Sequence, residues 1–179
     1  MVFLPDTRSC SKLYFLRHAI AAQRGDRKYK DDSLRPLTAE GKEKMHRAAL
    51  GMLVLGLKFD TVISSPYLRA KQTAEIVVHT YKLKDKRLHF TDNLLPPTSI
   101  EKLIKEVQAL FPNSKNVLLV GHEPHLTEMI SSLLKSNKPL DIDLKKGGLC
   151  HLSIDWPSKE ATAILIWILT PTQLGLMAL

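Results

Sequence analysis

Cysteine is scarce in this 179-residue chain: Cys10 and Cys150 lie far apart and match neither a metal-ligand spacing nor a redox pair. Free thiols in a reducing compartment are expected. Long apolar runs are missing too, the longest being Ala163 to Leu169, far short of the roughly 20 residues that span a membrane. The opening MVFLPDTRSCSK has no basic stretch followed by a long apolar core, so a secretory signal is not expected and the cytoplasm is the default setting. Internal repeats and low-complexity segments are absent. Aromatic residues do not interleave with basic ones, so net charge alone would argue for nucleic acid and none is expected as a partner. Acidic residues are the scarcer charge, 18 against 26 Lys and Arg, for a formal net charge of +8. That balance favours anionic partners such as phosphate groups or acidic proteins. Scattered basic residues also fit a plain solvated surface.

What is present is ordinary globular material, 44% hydrophobic and 25% charged. The length suits a single domain, residues 1–179, with a sizeable core. Leu13 to Leu16 is a short apolar run that stops abruptly at Arg17-His18. Such a run reads as a strand buried on both faces, as in a parallel sheet covered by helices. Its C-terminal end then lies at the sheet edge where ligands bind in open α/β folds. An arginine beside an imidazole that is neutral near pH 7 could hold and attack phosphorus there, although the dipeptide alone equally fits a plain strand end.

The polar segment from Ala19 to Thr38 has no clean periodicity and reads as a loop over that end. Thr38 is a candidate N-cap for a helix whose apolar positions include Met45, Ala48, Ala49, Met52, Leu53 and Leu57, with Gly56 as its stop. Phe59 to Ser64 reads as a second strand. Ser65-Pro66 reads as N-cap and first residue of a helix in which Leu68, Ala74, Val77 and Val78 face the core. Arg69 falls in its first turn, where backbone N–H groups already favour an anion; a surface salt bridge is the competing reading. Arg87 to Phe90 is a candidate third strand. Thr98 and Glu101 form a candidate capping box for a helix to about Leu110, ended by Pro112. Asn116 to Val120 is a further doubly buried strand that stops at Gly121-His122-Glu123-Pro124 before a helix carrying Leu126, Met129, Ile130, Leu133 and Leu134. Gly148 to Ile154 and Ala161 to Leu169, separated by Trp-Pro-Ser, predict an edge hairpin. The expected architecture is α/β, a three-layer sandwich with a mostly parallel central sheet flanked by helices.

Three strand ends thus bring Arg17-His18, Ser65 with Arg69, and His122 to one edge. Phosphoryl transfer without a metal needs a nucleophile and several cations around the phosphoryl oxygens, and these residue types meet that need. The motifs LRHA at Leu16 to Ala19, SSPYLRAKQTA at Ser64 to Ala74 and GHEP at Gly121 to Pro124, in this order, resemble those of the histidine phosphatases, the phosphoglycerate-mutase-like superfamily. With LRPLTAEG at Leu34 to Gly41, the compact length and the ending LTPTQLGLMAL, the chain is similar to the short phosphohistidine phosphatases of the SixA type. The resemblance implies His18 as a nucleophile that becomes phosphorylated and Arg17 and Arg69 as ligands of the phosphoryl oxygens. It implies His122 as a donor across the pocket, Arg35 as a further phosphate or substrate contact, and no cofactor or metal.

Larger members of that superfamily carry an acidic proton donor on an inserted segment. Here Lys82 to Pro97 is short and offers Asp85 and Asp92, with Asp32 and Glu123 as alternatives. An imidazole leaving group can take its proton from water near neutral pH, whereas an alkoxide needs a placed acid. A protein carrying phosphohistidine, such as a phosphotransfer domain, is therefore the expected substrate. A small phosphoester, sugar phosphate or nucleotide, is the alternative, and a phosphate-binding module without catalysis is a third reading. A monomer would keep the site mouth clear for a protein. His46, His79, His89, His125 and His151 show no ligand spacing, Trp156 and Trp167 read as packing, and Lys145-Lys146 reads as a solvated loop or an acidic-partner contact.

Overall fold

A computed structural model describes residues 11–155 and 163–179. Cys10, Trp156, the Trp-Pro-Ser turn and the Ala161-Thr162 start of the expected last strand lie outside those residues, as does the side chain of Asp85. Six strands form one sheet: β1 (Ser11–Arg17), β2 (Thr61–Ser64), β3 (Leu88–Phe90), β4 (Asn116–Gly121), β5 (Leu149–Ile154) and β6 (Ala163–Leu169). Their order is β3-β2-β4-β1-β5-β6, with β3, β2, β4 and β1 parallel and β5 and β6 antiparallel. The expected C-terminal hairpin thus supplies the antiparallel end of the sheet.

Because side chains alternate across a strand, β1 serves two cores. Leu13 and Phe15 join the cluster of α3 (Ile100–Leu110) and α4 (His125–Leu133), while Tyr14 and Leu16 join that of α1 (Ala39–Val54), α2 (Leu68–Thr80) and α5 (Pro171–Leu176). All four side chains are buried, as a sheet covered on both faces requires. The short α5 follows a capping box between Thr170 and Gln173 and lies so close to α1 that a Cβ on Gly51 would fall 1.8 Å from the Leu174 carbonyl oxygen. Glycine is what lets these helices touch.

Local signals hold where the cap is self-contained. Thr38 Oγ1 accepts from the Gly41 N–H at 2.9 Å, and α1 ends just before Gly56, whose φ is +69°. Two capping expectations are corrected. The helix after β2 starts at Leu68 with Tyr67 as N-cap, not at Ser65-Pro66; the Ser65 hydroxyl meets the Tyr67 N–H, ahead of the helix, and His122 across the site. The helix α3 is capped at Ser99 rather than Thr98, which moves Glu101 to the second helical position and out of the capping-box geometry. Leu53 is exposed and Leu68 half-buried, so both contribute less to the core than their spacing implies.

Candidate active site

Strand register builds the site. Arg17 pairs with Gly121 in the parallel β1/β4 ladder, and Ser64 pairs with Val120 in β2/β4. The next residues, His18, His122 and Ser65, therefore leave three adjacent strands at nearly one level. The His18 N–H donates to the Gly121 carbonyl at 3.0 Å and the Ser65 N–H to the Val120 carbonyl at 3.0 Å, continuing the ladder one step beyond the strands. The His18 and His122 rings end 5.2 Å apart.

His18 is 7% exposed, and its Nδ1 lies 2.7 Å from the Ala19 carbonyl oxygen. A carbonyl only accepts, so Nδ1 carries the proton and Nε2 keeps its lone pair. Burial is the main force that pushes this imidazole down to about 3; the Ala19 contact opposes it, and the charges of Arg69, Arg17 and Lys146 add to it. The ring is neutral at pH 7 and surrounded by cations. Thr73, on α2, accepts from the Ala19 N–H at 3.1 Å and donates to the Arg69 carbonyl at 2.7 Å. It ties the loop of the histidine to the helix of the arginine.

Arg69, 6% exposed, donates to the Asp32 carbonyl at 2.8 Å and pairs with the Asp32 carboxylate at 3.0 Å. Its Nε is buried without a partner among the described residues, as is that of Arg17, whose Nη1 donates to the Leu144 carbonyl at 2.8 Å. Arg35 is held away from solvent by Asp32, at 2.8 Å, and by the Ala22 carbonyl, at 2.6 Å. Asp32 thus joins Arg69 and Arg35, with Arg24 further off at 3.8 Å. Burial pushes its carboxyl up, but the Arg35 hydrogen bond and the three arginine charges outweigh that and leave it lowered. An ionised, ion-paired Asp32 is a poor proton donor.

His122, 6% exposed, places Nε2 at 2.8 Å from Ser65 Oγ, while its Nδ1 is buried with no partner among the described residues. Burial, then the His18 and Arg69 charges, hold it to about 3. The Tyr67 ring lies 5.1 Å from His122 and 5.0 Å from the Arg69 guanidinium, filling the wall between them. Glu123, half-buried, has its carboxyl raised by burial, against the opposing influence of nearby Thr127 and the Arg17 charge. Asp92 sits exposed in the turn after β3. Sequence reasoning missed Thr73, Tyr67 and the role of Ser65; a buried threonine four residues after Arg69 on the same helix face was the available signal. His125 faces Glu128 at 3.5 Å, and no group of three or more potential metal ligands occurs among the described residues.

The profile of the histidine phosphatase superfamily (branch 1) matches residues 13–94. An uncharacterized protein of Picosynechococcus sp. is 34% identical over 143 residues, 79% of this chain and 84% of that protein. The chain belongs to the histidine phosphatase superfamily. It is a phosphatase by that membership, a hydrolase with a SixA-like fold. The protein histidine phosphatase SixA complexed with tungstate superposes with a TM-score of 0.77 at 23% identity, covering 91% of this chain and 99% of that one. A mycobacterial glucosyl-3-phosphoglycerate phosphatase superposes with a TM-score of 0.69 at 17% identity, over 88% and 97% of the two chains. One fold accommodates both, so the fold leaves the phosphatase's substrate open. No helix among the described residues is long and apolar enough to cross a membrane.

The buried imidazoles set the pH dependence of stability. His18 and His122 take up protons in the folded phosphatase only near about 3, and His151, buried against Tyr14 and Trp167, only near about 4. Unfolded histidines protonate near pH ~6.5. Between those values the unfolded chain binds more protons, so stability falls as pH drops through this window, by up to about 1.4 kcal/mol per pH unit for each histidine. Urea midpoints at pH 7.5 and 5.0 should differ accordingly, with the lower midpoint at pH 5.0. Equal midpoints would contradict this assignment.

Proposed function

We propose that this phosphatase removes phosphoryl groups from histidine on a protein through a covalent intermediate on His18. The carrying observation is a neutral His18 whose Nε2 is free, set among arginines, with the paired carboxylate Asp32 unsuited to proton donation. Between α2 and α3 the chain carries only β3 and two short 3-10 turns, with no inserted lid. Nε2 attacks phosphorus, the P–N bond to the substrate imidazole breaks, and that imidazole takes its proton from water. Water then attacks the phosphorylated His18, phosphate leaves, and Nε2 regains its lone pair.

Arg17 and Arg69 hold the phosphoryl oxygens as their charge shifts, and Arg35 keeps Asp32, and through it Arg69, in place. The Ser65 hydroxyl accepts from the Tyr67 N–H at 3.3 Å and lies 2.8 Å from His122 Nε2. With Ser65 as the donor in that second bond, the proton of His122 sits on Nδ1 and is available to a phosphoryl oxygen. A phosphoester substrate is the second reading. The raised carboxyl of Glu123 beside Arg17 favours it, since a protonated acid could serve an alkoxide leaving group.

The deciding assay follows phosphate release from a histidine-phosphorylated phosphotransfer domain and from p-nitrophenyl phosphate, both with EDTA present. A kcat/KM at least about 100-fold higher on the domain, nearly 3 kcal/mol of discrimination, is expected. A preference for the ester would overturn the proposal in favour of the second reading.

A further inference from the structure

The loop from Leu144 to Gly148 is built into the end of β1. The Gly147 N–H reaches the carbonyls of Arg17 and His18 at 3.0 and 3.2 Å, and the Arg17 N–H donates to Gly148 at 3.1 Å. Gly147 has a φ of +80°, which turns the chain sharply at this point. The turn holds exposed Lys146 close to the nucleophile, near enough for its charge to act on His18. Lys145 is paired with Asp143, whereas Lys146 has no acidic partner among the described residues.

Beside Lys146 runs a groove of about 270 Å³ between α1 and α5, starting at Ile20, two residues beyond His18. Its charged side chains are Lys44, Arg47 and Lys146, and Pro171, Leu176 and the last residue, Leu179, complete the lining. Lys44 and Arg47 are each answered by a glutamate one turn earlier on α1, Glu40 and Glu43, at the exposed surface where such pairs contribute little. Lys146, without an acidic partner among the described residues, is the groove cation whose charge acts on His18.

Resting on the protein-substrate reading above, we infer that this groove receives an acidic segment of the phosphorylated protein, with Lys146 as the specificity-determining contact. A carboxylate of the segment meets Lys146 while an apolar neighbour covers Leu176. Docking of this kind steers encounter and orients the phosphohistidine toward His18, and it weakens as salt is added. The substrate atoms that react make no contact with the groove.

Lys146→Glu and Leu176→Glu test this, both at exposed positions, Leu176 being 62% exposed. Each is assayed on the histidine-phosphorylated phosphotransfer domain and on phosphoramidate, which is too small to reach the groove. For Leu176→Glu, KM for the domain should rise about 10-fold with kcat within twofold, and turnover of phosphoramidate should be unchanged. Lys146→Glu should raise KM for the domain more, and the native enzyme and Leu176→Glu, which both keep Lys146, should lose affinity as salt is added while Lys146→Glu should not. A native enzyme active on the domain, with variants of unchanged KM, overturns the groove and leaves the protein-substrate reading intact. Equal losses on both substrates overturn it as well, by showing an effect on the chemistry. A native enzyme inactive on the domain but active on phosphoramidate removes both.

Discussion

Substitution of His18 by alanine should lower kcat on a phosphohistidine substrate by about 10⁴-fold or more, with the fold intact. The size follows from the role: without Nε2 there is no covalent path, and the remaining arginines can only bind the phosphoryl group. The side chain is buried, yet its one hydrogen bond among the described residues is to the neighbouring Ala19 carbonyl, so its loss leaves a small cavity at the sheet edge rather than a broken ladder. Rapid-quench labelling with phosphorylated substrate should give a phosphoenzyme in the native chain and none in the variant. A variant that keeps more than a tenth of native turnover would require a different nucleophile.

Arg69→Ala should be the next most damaging change, lowering kcat/KM by about 10² to 10³-fold, the scale of one lost charge-stabilising donor in a desolvated site. Two consequences coincide there. The phosphoryl oxygens lose a cation, and the Asp32 carboxylate loses one of its arginine partners while keeping Arg35. A less compensated carboxylate beside the site repels the substrate dianion. Asp32 is 38% exposed, so solvent screens much of the broken ion pair and the stability cost should stay modest. Arg69→Lys should recover little, because a single ammonium cannot serve Asp32 and a phosphoryl oxygen in the planar fork of the guanidinium. Steady-state kinetics with circular dichroism separates the two effects; near-native kcat/KM in Arg69→Lys would place Arg69 outside the phosphoryl site.

The layers of this molecule were legible because burial leaves a direct trace in sequence. The run Leu13 to Leu16 is apolar at every position since both faces of β1 are covered, and the same holds for β4. Strand ends were legible for a related reason, since the abrupt change to Arg17-His18 and to His122 marks where the cover stops. Ser65 was misread because Ser-Pro ahead of a helical pattern is a local capping signal, whereas the partner that claims its hydroxyl, His122, is 57 residues away. Thr73 serves Ala19 across 54 residues and left no more than an ordinary helix position to read. Asp32 lies in a stretch without periodicity, so nothing in the sequence said that the chain folds back to bring it against Arg69.

The hydrogen bond between His18 Nδ1 and the Ala19 carbonyl has a regiochemical consequence. With one ring nitrogen committed to the backbone, the phosphoryl group can be carried only by the other. The adduct proposed on His18 would therefore be the tele isomer, with the pros position occupied through one main-chain carbonyl oxygen.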